Sequence, residues 1–482
     1  MLDLRPVGYV IGLLVATLGL TMLAPLAADL LAQNGHWPVF LEAAILTMLT
    51  GGLIALACSN GVSAGLDLRQ TFLLTSLVWI ILPLFGAIPF VLGATNASLT
   101  NAFFEAMSGL TTTGATVFSG LEALPEGLKL WRGILQWLGG IGIIVVAMVF
   151  LPELRVGGMQ IFRSEAFDTM GKILPRAGEI ASQISVIYVS LTIACALAYA
   201  AFGMENFDAL VHAMTTVSTG GMANFDGSMS VYGGGVHYTS VVFMVLAALP
   251  FVRYVQIIAG TAQPLLHDSQ IRVFFAIIVI VTLLVTSWVW AREGQITETA
   301  FRNALFNLVS IMSGTGYANA DYMTWGTFPV AIFFFVGLIG GCAGSTSCSI
   351  KVFRYQLLFA AVKSQVRQIH APHGVFAPRY DGRKVSDDVL DSVMAFFVAF
   401  ILSLGLFAVL LGLTGLDFIT SVSGAAATLA NIGPGLGPEI GPAGNYAGLN
   451  TTAKWLMAIA MFVGRLELMV VLTVLSLKFW RT

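Results

Sequence analysis

A polar stretch, Ser108-Gly109-Leu110-Thr111-Thr112-Thr113-Gly114-Ala115-Thr116, lies between two long apolar segments and recurs three times further along the chain. Sliding the sequence against itself brings Val217-Ser218-Thr219-Gly220, Ser313-Gly314-Thr315-Gly316 and Ala430-Asn431-Ile432-Gly433 into the same register. A short apolar run precedes each copy, and the repeat occupies about a quarter of the chain. Four degenerate copies predict a fourfold pseudosymmetric object folded from one polypeptide.

A short helix that stops at membrane depth aims the negative end of its dipole at the bilayer centre, where it favours a cation. Extended backbone rich in Thr, Ser and Gly can then turn its carbonyls inward and replace an ion's water shell. Glycine adopts either sign of φ at little cost, which lets successive carbonyls face one axis. Irregular backbone at this depth survives only inside protein or along a water-filled cavity. One Thr-Gly stretch alone would read more readily as a polar turn between membrane helices. Four in register predict a pore.

Of the 482 residues, 57% are hydrophobic and 10% charged, against roughly 25% charged in a soluble chain. The chain is therefore expected to be a polytopic, all-α membrane protein. Its net charge of -2 says nothing of partners until it is divided by side. Cys58, Cys195, Cys342 and Cys348 lie in or beside apolar segments without zinc-like spacing, which argues against a disulfide framework or a metal centre. The first apolar stretch is longer than a signal-peptide core and lacks an Ala-x-Ala site, so it is read as retained.

Apolar segments at 6–32 and 37–58, each near the ~20 residues that span a bilayer, form a hairpin through Asn34-Gly35-His36-Trp37-Pro38. The first repeat follows, with spans near 70–94 and 130–151 flanking a pore helix near 99–110. A polar, basic segment from Pro152 to Glu179 leads to spans near 181–203 and 237–262. The third repeat has spans near 271–291 and 327–360, the fourth near 389–413 and 452–478, with the longest polar stretch, 361–388, between them. The expected organisation is an N-terminal hairpin (1–64) and four membrane helix–pore helix–membrane helix repeats around one central pore: 65–160, 161–265, 266–384 and 385–482. That makes ten full spans and four half-spans.

Assigning both termini and the linkers 59–69, 152–180, 263–272 and 351–388 to one side gives that side 16 Lys and Arg residues. The opposite side, which holds every loop mouth, has five: Lys129, Arg132, Arg292, Arg302 and Lys454. The positive-inside rule then predicts cytoplasmic termini and outward-opening mouths. On that outer side acidic residues outnumber Lys and Arg, among them Glu122, Glu126, Asp208, Asp226, Glu298, Asp321 and Glu439. An acidic vestibule would concentrate cations; a merely solvated polar face reads equally well for any one of them.

Two intramembrane features stand apart. Gly340-Gly341-Cys342-Ala343-Gly344-Ser345-Thr346-Ser347-Cys348-Ser349 interrupts the third repeat's last apolar run, which is too long for one span. It predicts a broken helix with a loop beneath the filter, the alternative being close helix packing through small residues. Arg465, near the middle of the last span, is costly there and predicts a partner or a cavity. Glu467, two residues on, points to another helix face, so carbonyls or hydroxyls of the 340–349 loop are the expected partners. A fixed positive charge below a cation filter would oppose conduction until moved. Arg253 and Glu42 are read as structural.

The chain resembles the Trk/Ktr family of bacterial potassium transporters, nearer its TrkH branch than its KtrB branch. The resemblance covers nearly the whole sequence: the four repeats, the glycines Gly114, Gly220, Gly316 and Gly433, the segment Gly340 to Thr346, the extra hairpin at 6–58, and the fourth loop Leu429 to Gly437. It implies potassium uptake through a gated, channel-like pore in each subunit of a homodimer in the bacterial inner membrane. The implied filter residues are Thr112, Thr113, Gly114, Ser218, Thr219, Gly220, Gly314, Thr315, Gly316, Asn431, Ile432 and Gly433, with potassium as the ion carried. The implied gate is Gly340, Gly341, Gly344, Ser345, Thr346 and Ser347 of the loop, with Arg465. A cytoplasmic TrkA-type nucleotide-binding regulatory subunit is implied as partner, docking on the inner face; the basic linkers with Arg155, Arg163, Lys351, Arg354 and Arg367 could receive it, though by themselves they read only as cytoplasmic and positive. No Walker A motif and no Gly-x-Gly-x-x-Gly opening a soluble βαβ unit appears, so a regulatory ATP, ADP or NAD belongs to that partner and no cofactor to this chain. No nucleic acid partner and no enzymatic activity are expected.

Gly314, where repeat one has Thr112 and repeat two Ser218, predicts a looser third strand; Asn431, Ile432 and Pro434 depart from the pattern in the fourth. Such asymmetry leaves room for sodium permeation. A competing class is a secondary transporter coupling potassium to protons or sodium, for which Glu105 and His212 are the candidate groups. A membrane enzyme would have to rest on His370 and His373, which lack a neighbouring acidic ligand.

Overall fold

The computed structural model describes residues 3–61, 66–145, 177–295, 297–466 and 468–481. Residues 152–176 of the basic linker, with Arg155 and Arg163, lie outside the described residues, as does Glu467. The N-terminal hairpin pairs Arg5–Thr21 and Leu23–Ala32 with Trp37–Cys58. The first arm is stepped at Met22 because Pro25 has no N–H for the carbonyl of Thr21. The arms approach through small residues: a Cβ on Gly12 would lie 2.7 Å from the Gly51 carbonyl oxygen, the packing that membrane helices use where burial of apolar surface gives no drive. Asp29 fastens the hairpin to the first repeat by accepting from Gly127 N–H at 2.7 Å and His36 Nδ1 at 2.9 Å.

Each following quarter contains a short helix set between longer ones. Leu99–Leu110 lies between Leu68–Leu92 and Glu126–Val145, and Asn206–Val217 between Ala177–Ala201 and Gly234–Ala248. Glu298–Ser313 lies between Ser269–Glu293 and Thr327–Gly337, and Phe418–Leu429 between Asp387–Leu413 and Thr451–Arg465. Three of the four short helices start on a side-chain cap, Ser98, Thr297 or Asp417, each taking a backbone N–H of the first turn. A two-stranded ladder, Arg379–Tyr380 with Arg383–Lys384, is the sheet among the described residues.

Several of the ten expected spans are formed by broken helices. Among the described residues six helical segments are long and apolar enough to cross a membrane, the first of them stepped at Met22. At 237–262 the helix Gly234–Ala248 turns by 89° into Phe251–Ile258, because Pro250 cannot continue the ladder. At 452–478 the helix Thr451–Arg465 bends sharply into Leu468–Leu475. At 327–360 Thr327–Gly337 and Val352–His370 are separated by a loop, as its glycines and hydroxyls predict. The helix at 130–151 is described as far as Val145.

Burial is inverted relative to a soluble protein. Leu53, Leu283 and Leu402 are 65%, 56% and 67% exposed on the outside, while Thr112, Thr219 and Thr315 are fully buried at the centre. That is the arrangement of a bundle solvated by lipid, with its irregular backbone wrapped in protein.

Candidate functional site

The four short helices end in one geometry. The chain enters the left-handed region two residues past the last helical residue at Thr112, Thr219 and Asn431 (φ 52° each), and one residue past it at Gly314 (φ 79°). At each the N–H reaches back three residues, to Gly109, Thr216, Ile311 and Thr428 carbonyls at 2.9, 3.0, 3.0 and 3.3 Å. Two residues later a glycine again takes positive φ: Gly114 at 83°, Gly221 at 71°, Gly316 at 81° and Gly433 at 99°. Holding Thr or Asn there costs of order 1–3 kcal/mol each, strain that persists only where the surroundings impose it.

This corrects the second loop by one residue. Thr219, not Ser218, corresponds to Thr112, and Gly221, not Gly220, corresponds to Gly114. The tandem Gly220-Gly221 offers two alignments to a pattern search; the hydrogen bonds choose the second. Ser218 is the cap of its helix and bonds the Thr215 carbonyl at 3.2 Å.

The loops close on one another. A Cβ built on Gly114 would overlap the Gly220 carbonyl oxygen, one on Gly221 that of Thr315, and one on Gly316 that of Ile432. One on Gly433 would lie 2.6 Å from that of Thr113, completing the circuit. The four carbonyls thus belong to equivalent positions, each against the next loop's glycine. A cavity of about 210 Å³ opens onto all four glycines and is lined also by Asp226, Arg132 and Tyr446. Of the acidic residues on this side, Asp226 reaches the cavity, with its carboxylate accepting from Gly120 and Leu121 N–H at 2.7 and 3.1 Å.

Side chains brace the circuit. Asn431 Nδ2 donates to Thr113 Oγ1 at 2.9 Å, so the carboxamide that departs from the pattern ties loop four to loop one. Tyr446 adds its hydroxyl on the Gly433 carbonyl at 2.6 Å and its N–H on that of Thr116 at 2.8 Å. Thr315 Oγ1 pairs with Ser313 Oγ at 2.7 Å, and the Ile432 side chain packs against Gly337. Glu105 is held by Arg132 Nε at 2.8 Å and by Val117 N–H at 2.9 Å, while Arg132 Nη1 reaches the Ala223 carbonyl at 2.7 Å. His212 places Nδ1 on the Asp208 carbonyl at 2.8 Å and Nε2 on the Asn224 N–H at 3.4 Å. Arg132, counted from the sequence as an outer surface charge, is 2% exposed. Removing one charge of a buried pair costs about 3–5 kcal/mol, so Glu105→Gln is expected to lower the unfolding temperature in detergent markedly; an unshifted transition would show the pair to be dispensable.

The 340–349 segment lies beneath the ring, with Gly340 through Cys348 buried. Its N-terminal half is tied to the break at Pro250: Cys342 N–H to the Ala248 carbonyl at 3.0 Å, Thr346 Oγ1 to that of Ala247 at 3.0 Å, and Phe251 N–H to that of Gly344 at 2.9 Å. Gly340 N–H bonds the Ile350 carbonyl, Gly341 N–H meets Ser347 Oγ, and Ser345 Oγ turns back to the Cys342 carbonyl at 2.8, 2.8 and 2.7 Å. Gln270 Oε1 takes the Ala343 N–H at 2.9 Å, and Ser349 N–H reaches the Ala430 carbonyl at 3.0 Å. Cys348 Sγ sits 3.4 Å from Thr112 Oγ1, and its N and Cβ lie 3.1 Å from where a Cβ on Gly314 would stand. The third strand is therefore not loose: the space left by Gly314 is filled by Cys348.

Arg465 is 4% exposed and donates from Nη1 to Cys348 Sγ at 2.8 Å and from Nη2 to the Gly139 carbonyl at 3.0 Å. Its guanidinium lies 5.4 Å from the Trp79 ring centroid. The loop thus supplies a thiol rather than the expected hydroxyl, and the first repeat supplies the carbonyl. Arg253, read as structural, pairs with Asp268 at 2.8 Å beside this loop. His370, at the exposed end of Val352–His370, places Nδ1 on the Val366 carbonyl.

The sequence model of the TrkH family, described as a cation transport protein, matches residues 36–480. The chain is 44% identical over 414 residues to the Trk system potassium uptake protein TrkI of Halomonas elongata, covering 86% of this chain and 84% of that protein. It is 36% identical over 488 residues to the Trk system potassium uptake protein TrkH of the same organism, covering 100% of both. The crystal structure of the potassium transporter TrkH from Vibrio parahaemolyticus matches with a TM-score of 0.91 at 34% identity, covering 100% of both chains.

Proposed function

The chain belongs to the TrkH family of cation transport proteins, and we propose that it admits potassium through one central pore whose filter is the ring of loop carbonyls. Closure of that ring carries the proposal: four equivalent glycines, each against the next loop's carbonyl, beneath one cavity. Carbonyls in such a circuit can replace a monovalent cation's hydration shell, and the carbonyl ends of four short helices add a negative potential at its centre. The 340–349 loop and Arg465 form the gate on the other side of the ring, supported by the contacts of Cys348 with Thr112 and beside Gly314 and by the bond of Arg465 to Cys348. Glu105 is committed to Arg132, and both ring nitrogens of His212 to backbone, which supports uncoupled conduction.

In this reading the ring opens outward and the termini are cytoplasmic, as the charge asymmetry requires. Exposed Lys363, Arg367, Arg379, Arg383 and Lys384 then face the cytoplasm of a bacterial inner membrane. There a homodimer meets a TrkA-type subunit that carries the regulatory nucleotide. Potassium and sodium flux into liposomes holding the purified chain, with voltage and pH gradient set independently, tests the central claim. Voltage-driven flux that favours potassium and ignores the pH gradient is expected. Flux that requires a proton or sodium gradient would replace the uncoupled pore with a coupled transporter.

A further inference from the structure

We infer that Gln136, a residue outside the ring, sets cation discrimination by tuning one of the four ring carbonyls. Thr113, Gly220, Thr315 and Ile432 hold the equivalent carbonyl positions. The Gly220 carbonyl accepts a hydrogen bond from Gln136 Nε2 at 2.6 Å. Among the described residues the other three receive no side-chain donor. Gln136 Oε1 takes the Met222 N–H at 3.0 Å, so the carboxamide straddles Gly221 and its orientation is fixed by one donor and one acceptor. The side chain is fully buried on the helix Glu126–Val145, one turn beyond Arg132.

The composition of the second loop fits this role. At the ring position the other loops carry Thr, Thr and Ile, whereas this one carries glycine. A Cβ on Gly220 would lie 2.6 Å from both Nε2 and Oε1 of Gln136, so the carboxamide fills the space of the missing side chain. Glycine and glutamine are a matched pair contributed by different segments.

The amide hydrogen lies against the oxygen that would face the ion and weakens the negative field it presents. Selectivity depends on the field strength and placement of such carbonyls. A stronger, less restrained carbonyl favours the smaller cation. Gln136 is thus a positioning residue: it acts on potassium through Gly220 and does not touch the ion.

This inference rests on the ring being the ion path, and the experiment separates the two. Potassium-to-sodium permeability ratios are taken from reversal potentials of the full chain in planar bilayers for the parent, Gln136→Met, Gln136→Glu and Gly316→Ser. The ratio is a property of conducting molecules and is unaffected by the fraction that folds. Gln136→Met keeps the length and loses both hydrogen bonds; Gln136→Glu keeps the acceptor for Met222 N–H and, when ionised, loses the donor to Gly220, so its ratio is read at alkaline pH. Both are expected to lower the ratio by about fivefold to tenfold. A parental ratio in either conducting variant, with Gly316→Ser altered, overturns the role of Gln136 alone. A parental ratio in Gly316→Ser would overturn the ring itself.

Discussion

Gly316→Ser lowers the potassium-over-sodium permeability ratio by about tenfold or more, since each 1.4 kcal/mol of lost discrimination is a factor of ten. Gly316 holds φ 81°, where an L side chain costs roughly 1–2 kcal/mol. The larger effect is spatial. The new Cβ would overlap the Ile432 carbonyl oxygen and approach Pro434 Cδ at 2.8 Å. Pro434 has a locked φ and cannot swing aside, so the Ile432 carbonyl must leave its place. The damage therefore falls on loop four, although the substitution is in loop three. Gly203→Ser is the control: its φ is 90°, with nothing within 4 Å of a new Cβ, so it carries the strain without the collision and should retain the parental ratio. Reversal potentials under bi-ionic conditions read both. An unchanged ratio in Gly316→Ser would overturn the ring as the ion path.

Local pattern made the four short helices and their terminal glycines legible, because apolar runs, caps and Thr-Gly endings are properties of a few neighbouring residues. The helix at 99–110 falls where the pattern predicts it. The register of the second loop was not legible, because Gly220 and Gly221 are both competent for positive φ and only the folded geometry, the positive φ of Thr219 and Gly221 with the Thr219 N–H bond to Thr216, distinguishes them. Long-range complementarity was likewise hidden. Nothing near Gly314 announces that Cys348 occupies the space beside it, and nothing near Gly220 points to Gln136. A signal for Arg132 and Gln136 was present in principle: beyond Lys129 they are two polar residues four apart in an otherwise apolar run, share one helix face and need buried partners. Hydropathy also overcounts continuous spans here, since it averages over Pro250 and cannot see which carbonyls the break releases. Those of Ala247 and Ala248 hold the intramembrane loop.

Arg465→Ala raises basal flux in the absence of any cytoplasmic partner. Arg465 joins three parts of the structure: Cys348 of the loop, the Gly139 carbonyl of the first repeat and, by its position, the last helix. Hydrogen bonds to a charged group contribute about 1.5–3 kcal/mol each, set against at least ~2.5 kcal/mol for keeping the guanidinium at membrane depth. With two such bonds the net hold on the loop is of order 0.5–3.5 kcal/mol, and its loss shifts the open population by about twofold to several hundredfold. A second effect has the same sign, because the positive charge that opposes a cation below the ring disappears with the side chain. Arg465→Lys separates the two: it retains the charge but loses the planar fork that reaches sulfur and carbonyl together, so its basal flux should fall between parent and Ala. The loop stays tied to Ala247, Ala248 and Phe251 in both variants, so the population shifts without the gate being abolished. Flux measured by ion uptake into liposomes, normalised to folded protein, distinguishes the outcomes. A fall in Arg465→Ala would mean that the guanidinium supports the conducting geometry and that the barrier lies in the backbone of 340–349.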